Sequence, residues 1–129
     1  MSIPIKSFRD LDAWKEGHAL ALLVYKLVKS FPKEEMFALA SQMRRSAVSA
    51  TSNIAEGFSR QSYKEKAQFY SIAQGSVTEL QSQFDIALDV SYINSDTYHN
   101  ADNQSIKVHK IINGLIKKSK LFSVDAHNS

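Results

Sequence analysis

Two arrangements of side chains in this sequence have the types and spacing to do chemistry: an acid and an imidazole three residues apart, and lysines recurring at helical intervals. Asp96-Thr97-Tyr98-His99 puts a carboxylate and a histidine on one face of a helix, where both could reach one metal ion. A diiron bundle, however, needs inward glutamates and two Glu-x-x-His pairs, and neither pair occurs. Asp96 also falls where a helix opens, a place where Asp commonly caps, so capping is the role assigned to it. The four His are scattered at 18, 99, 109 and 127. With no cysteine in the chain, disulfides, thiolate metal sites and a cysteine nucleophile are excluded together. Gly57 and Gly75 stand alone instead of forming a phosphate loop, and no serine sits in a nucleophile elbow or triad pattern. Glu56 lacks a second carboxylate, histidine or metal ligand at a useful spacing. These absences lead to a reading with no catalytic residue, no metal and no cofactor: the chain is not an enzyme.

The lysines remain. Lys107, Lys110, Lys117 and Lys118 fall along one side of a helix with Gly114 between them and Lys120 nearby. Lysines three or four residues apart project about 5 to 6 Å from one another, comparable with phosphate spacing on a nucleic-acid strand. Such lysines also serve simply to keep a protein soluble. Repeated around a symmetric ring, they would form a belt of positive charge. Lys and Arg outnumber Asp and Glu by 16 to 13, a formal charge of +3, which tilts the chain toward anionic partners. Arg44, Arg45 and Arg60 join Lys107, Lys110, Lys117 and Lys118 as candidate nucleic-acid contacts.

The elements that must position these residues are helices. Only 4 Gly and 2 Pro occur, and apolar residues recur every three or four positions, not every second one. The pattern predicts an all-α, antiparallel up-down-up-down four-helix bundle in a single domain over 1–129, with helices at about 10–30, 33–57, 62–91 and 96–122. Phe31-Pro32 ends the first helix, and Pro32, Glu34 and Glu35 suit the first turn of the second. Gly57 is placed to cap the second at its C-terminus. Ser62-Tyr63-Lys64-Glu65 reads as a capping box opening the third. The predicted inward stripes are Leu11, Trp14, His18, Ala21, Tyr25 and Val28; Met36, Ala40, Met43, Ala47, Ala50 and Ile54; Phe69, Ile72, Ala73, Ser76, Leu80, Phe84 and Ala87; and Ala101, Val108, Ile112, Leu115 and Ser119. At 129 residues and 43% apolar content the chain can fill one core but not two. Its longest apolar run, Ala19 to Tyr25, is far short of the roughly 20 residues of a membrane span, and a cytoplasmic location follows as the expectation.

The outward faces differ from helix to helix. Leu20, Leu23 and Leu27, with Val24 beside them, form a second apolar stripe on the first helix and are expected at a subunit contact. On the second helix Gln42, Arg45, Ser49, Asn53 and Glu56 make a polar line edged by Ser46 and Ser52. Short hydroxyls and amides there suit a specific interface or network, the alternative being a plain solvated face. Both sets are candidate oligomer-interface residues.

Several segments together resemble one family. Phe8-Arg9-Asp10-Leu11-Asp12-Ala13-Trp14, Phe31-Pro32-Lys33-Glu34-Glu35, Gln42-Met43-Arg44-Arg45-Ser46-Ala47, Asn53-Ile54-Ala55-Glu56-Gly57 and Ala73-Gln74-Gly75-Ser76-Val77-Thr78-Glu79-Leu80 resemble, in order, the 23S rRNA intervening-sequence proteins, the S23-type four-helix bundle family. The resemblance implies a four-helix bundle assembled as a homopentameric ring, in a family with no established enzymatic role. The family is related to the accessory variability protein of diversity-generating retroelements, a basic pentameric barrel that binds a reverse transcriptase and nucleic acid. On this reading the protein is an oligomeric scaffold that associates with RNA or nucleic acid through basic surface. The alternative is a protein-interaction module whose polar second helix docks a reverse transcriptase or other partner without touching nucleic acid.

Overall fold

The computed structural model describes the backbone of residues 4–128 and the side chains of residues 4–124. Four helices make up most of it: α1 (Asp12–Leu27), α2 (Leu39–Ser59), α3 (Tyr63–Asp89) and α4 (Ser95–Asn128), with 3-10 turns at Phe8–Asp10, Val28–Ser30 and Lys33–Glu35. No strand occurs among the described residues. No helix among them is long and apolar enough to cross a membrane.

Local chemistry sets the helix ends. Ser62 accepts a hydrogen bond from the Glu65 amide at 3.1 Å and opens α3; a cap of this kind stabilises a helix by about 1 kcal/mol. At the start of α4 the cap is Asn94, whose Oδ1 accepts from the Thr97 amide at 2.8 Å, so Asp96 is not the capping residue. The first helix is shorter than its pattern suggests because 3-10 turns replace α-helix on both sides. The second begins six residues later than expected, at Leu39. Gly57 does not end α2 either. It lies inside the helix and is buried, because a Cβ there would sit 2.6 Å from Tyr70 Cε1. The end of α3 is closed instead by Ser91 at φ 65°, with the Tyr92 amide donating to Ala87 O and the Ser91 amide to Leu88 O, the Schellman pattern.

Neighbouring helices meet in opposite order along the chain. Ser49 pairs with Ser76, and Ser46 with Glu79 and Gln83, across α2 and α3. Gln74 reaches Asn113 and Gln81 reaches Ser105 across α3 and α4. Glu16 of α1 meets Gln104 and Lys107 of α4, and Gly17 packs beside Ile54 and Thr51 of α2. One apolar cluster joins all four helices, with Val24, Met43, Ile54, Ala73, Val77, Leu80, Phe84, Ala87, Val108 and Ile112 wholly enclosed.

The leucine stripe of α1 belongs to this core. Leu20 is 1% exposed, Val24 0% and Leu27 7%, so these three offer no free surface for a second subunit; Leu23 is half-buried and packs against the same cluster. The inward direction of α1 is given by Ala13, Gly17, Leu20, Ala21, Val24, Leu27 and Val28. The buried members of the two apparent stripes, Ala21 and Val28 on one and Leu20 and Leu27 on the other, are only about 100° apart on a wheel of roughly 100° per residue, not opposite. They are the two edges of one wide face, since α1 packs on both α2 and α4. Tyr25 and His18, expected inward, are exposed, as are Met36 of the α1–α2 connection and Ile72 of α3.

Two substitutions test this account in urea melts. Gly57→Ala should lower stability by about 1 to 3 kcal/mol through overpacking against Tyr70, although alanine is the better helix former. Ser91→Gly should raise it, by up to about 1 kcal/mol, by relieving the left-handed backbone.

Candidate nucleic-acid interface

The candidate cations divide into those the fold uses and those it leaves on the surface. Arg44 donates to the carbonyl of Met36 at 3.1 Å and pins the connection into α2. Arg60 pairs with Glu56 at 3.2 Å and covers the Phe69 ring at 4.5 Å. Lys107 pairs with Glu16 at 3.2 Å. Glu16 is held below the usual carboxylate range by the Gln104 amide first and the Lys107 ammonium second. Lys66 is structural: its ammonium donates to Phe58 O at 2.6 Å and Gly57 O at 3.4 Å, satisfying the end of α2, and burial pushes its pKa down.

Lys110, Lys117, Lys118 and Lys120 are exposed and have no carboxylate within ion-pair distance among the described residues. Lys110 and Lys117 point away from the bundle with Gly114 between them, beside which a Cβ would meet open space. Lys118 leans over the Phe122 ring at 5.7 Å, and Lys120 and Lys64 line the same groove between α3 and α4. Arg45 is exposed on the opposite, α2–α3 side. The structure therefore gathers Lys117, Lys118, Lys120 and Lys64 near one end of the α3–α4 pair and leaves Arg44 and Arg45 outside that group.

The charge blocks carry a signal that helix-by-helix reading misses. From Ala67 to Ile106 the sequence has no Lys or Arg and carries Glu79, Asp85, Asp89, Asp96 and Asp102; from Lys107 to Val124 it has five lysines and no carboxylate. Folding α4 back along α3 makes one end of the pair acidic and the other basic. Tyr98 registers the acidic end. Its hydroxyl donates to Asp85 at 2.5 Å; that bond, then burial, then the charges of Asp102, Asp85 and Asp89 push its pKa up to about 12.

On the polar line of α2, Asn53 donates to Ser49, Ser49 pairs with Ser76 at 2.8 Å, and Ser46 donates to Glu79 while accepting from Gln83. Much of the line is thus a seam with α3. Gln42 and Arg45 remain on the rim of a cavity of about 340 Å³, and Glu56 is taken by Arg60. Gln83 lines the same cavity and its buried Oε1 has no hydrogen-bond partner. Among the described residues no three His, Asp or Glu side chains stand together as a metal-binding group.

A raised tyrosine pKa stabilises the fold fully below the ordinary value near 10 and stops doing so as pH rises through about 12. Burial raises Tyr70 and the Glu35 hydrogen bond raises Tyr92 as well, so in an ultraviolet titration Asp85→Asn should move one of the late-ionising tyrosines to lower pH.

Comparison with known proteins agrees with this architecture. The family described as "23S rRNA-intervening sequence protein" matches residues 9–114. A solved structure from Bacteroides thetaiotaomicron VPI-5482, a protein of unknown function from the S23 ribosomal protein family, superposes with a TM-score of 0.76 at 24% identity, over 81% of this chain and 95% of that one. No curated protein matches. With its match running from the 3-10 turn before α1 well into α4, the chain belongs to the 23S rRNA-intervening sequence protein family.

Proposed function

We propose that this protein is a non-enzymatic cytoplasmic scaffold that works as a homo-oligomer, five copies in the form its resemblance implies, and associates with nucleic acid through α4. The observation that carries the proposal is the run of five lysines from Lys107 to Val124 without a carboxylate, of which only Lys107 is paired among the described residues. A row of exposed, unpaired ammonium groups neutralises phosphates without reading bases, so binding is sequence-tolerant and driven by counterion release. The family description, which names an intervening sequence of 23S rRNA, favours RNA as the polyanion.

A second reading has its own support. Arg45 and the unpartnered Gln83 Oε1 share the α2–α3 cavity, and a buried acceptor without a donor costs about 1 to 3 kcal/mol until something supplies one. A protein partner presenting a hydrogen-bond donor there, such as a polymerase, would use this face and leave α4 free.

Fluorescence anisotropy with a labelled single-stranded RNA separates the two. The unmodified protein should bind at low salt with a steep negative dependence of log affinity on log salt. Lys110→Gln with Lys117→Gln and Lys118→Gln should flatten that slope by about 2, at roughly 0.7 per lost single-strand contact. Arg45→Glu should change it little. No affinity at low salt, or a slope unmoved by the triple substitution, overturns the α4 proposal.

A further inference from the structure

Hydroxyl hydrogens are spent one by one along the α2–α3 seam, and the count leaves a surplus of acceptors. Each serine has a single side-chain hydrogen to give. Ser76 donates to the Ile72 carbonyl at 3.2 Å, so the bond it shares with Ser49 takes its hydrogen from Ser49. Ser46 donates to Glu79 while accepting from the Gln83 amide nitrogen. Neither chain of serines has a hydrogen left for Gln83 Oε1, which is buried without a partner on a residue only 9% exposed. The amide of Gln83 reaches Ser46, and both residues line the α2–α3 cavity of about 340 Å³, so the unpartnered oxygen belongs to its wall.

Two opposite charges stand on the same cavity without closing on each other. Glu79 and Arg45 both line it, both are exposed, and neither has a counter-ion within ion-pair distance among the described residues. The acceptor side, Glu79 with Gln83 Oε1, calls for a cation with several hydrogens to give, and an ammonium has three. A bare cation would face Arg45, and a bare anion would face Glu79. A molecule carrying an ammonium and a carboxylate a few atoms apart meets both. No aromatic ring lines the cavity, so a nucleobase has no face to stack on. Its volume lies at the small end of ligand sites, which run from about 300 to 1,000 Å³.

We infer that this cavity binds a free α-amino acid by its head group, the ammonium donating to Glu79 and Gln83 Oε1 and the carboxylate pairing with Arg45. Charge-assisted bonds of this kind are about twice as strong as neutral ones, and the bond to Gln83 removes the cost of a buried acceptor left without a donor. Access to Oε1 needs Gln42 or Arg45 to turn aside; both are exposed side chains on the rim, which change rotamer within nanoseconds. Ile86 follows Gln83 by three residues on the same face of α3 and is 48% exposed. It gives an aliphatic ligand side chain a surface to rest on, which selects L-leucine as the probe. This site depends on neither the homo-oligomer nor the α4 contacts, and a small molecule fills it where the second reading above places a partner's donor.

Titration of the full-length protein with L-leucine, followed by calorimetry and by amide chemical shifts, tests the site. Leucine should bind saturably, with shifts centred on Ser46, Glu79 and Gln83. Leucinamide keeps the ammonium but lacks the carboxylate, and N-acetyl-L-leucine lacks the ammonium; each should bind at least roughly tenfold more weakly. Arg45→Gln and Glu79→Gln, both at exposed positions, should weaken leucine binding by a similar factor. Gln83→Met, which removes the acceptor and keeps the length of the side chain, should do the same while circular dichroism stays helical. Lys110→Gln with Lys117→Gln and Lys118→Gln should leave leucine binding intact while weakening RNA binding, so failure here and failure of the α4 proposal are told apart. No saturable binding up to about 10 mM leucine, equal binding of leucinamide, or unchanged affinity in any of the single variants overturns the amino-acid site. If Gln83→Met does not fold, Arg45→Gln and Glu79→Gln decide it alone.

Discussion

Small residues line the buried side of α2: Ala40, Ser46, Ala47, Ala50 and Gly57, of which Ser46 and Gly57, with half-buried Ser49, meet α3. Small side chains let the two backbones approach, and the close approach fixes the rest of the bundle. Gly57 admits the ring of Tyr70, while Ser49 and Ser76 come within 2.8 Å. The larger residues that fill the interior, Phe84, Leu80, Ile54 and Met43, sit on either side of this seam. Each contributes about 1.5 to 3 kcal/mol by leaving water. Because hydroxyls rather than methyls lie along part of the seam, the α2–α3 contact is also directional: Asn53, Ser49 and Ser76 bond in sequence, and Gln83, Ser46 and Glu79 do likewise. A slip of one helix turn would leave several of these groups without partners, so the polar seam sets register where alanines alone would not.

Much of the fold is legible in the sequence for simple reasons. The helix-forming periodicity of α2, α3 and α4 points their alanines and large aliphatics inward, and Ser62 opens α3 as a side-chain cap. The misplacements share a cause: a wheel assigns one inward direction, whereas a helix with two neighbours has two. That is why Leu20, Leu23 and Leu27 read as outward when they form the second edge of the same buried face. Gly57 misleads in another way. Glycine after an apolar run ordinarily marks a helix end, but this one answers to an aromatic ring on a helix that starts six residues later, which no local pattern encodes.

The candidate site was legible in part. The lysines of α4 are readable because a face of ammonium groups needs only helical spacing. Arg44, Arg60 and Lys107 look the same in sequence yet are committed to a carbonyl, a neighbouring carboxylate and a cross-helix carboxylate. The distinction depends on what folding brings within about 3 Å, not on composition. The acidic and basic blocks are visible in the sequence as soon as charges are read across helix boundaries. A net charge of +3 conceals them, since the five carboxylates of one block and the five lysines of the other cancel.

The segment ahead of α1 also closes part of the interior. Ile5 and Leu11 line a hollow together with Phe58, Tyr70, Leu115 and Phe122, and Ser7 and Asp10 cap each other across the short turn between them. α1 begins only at Asp12, so this strap covers α3 and α4 where no α1 remains to do it. A fragment trimmed to the family-matched span of 9–114 would lose Ile5 on one side and Ile116, Ser119 and Phe122 on the other. Leu115 would go as well, leaving Tyr70 uncovered. The smallest unit that keeps its interior dry is accordingly longer at both ends than the span that matches the family.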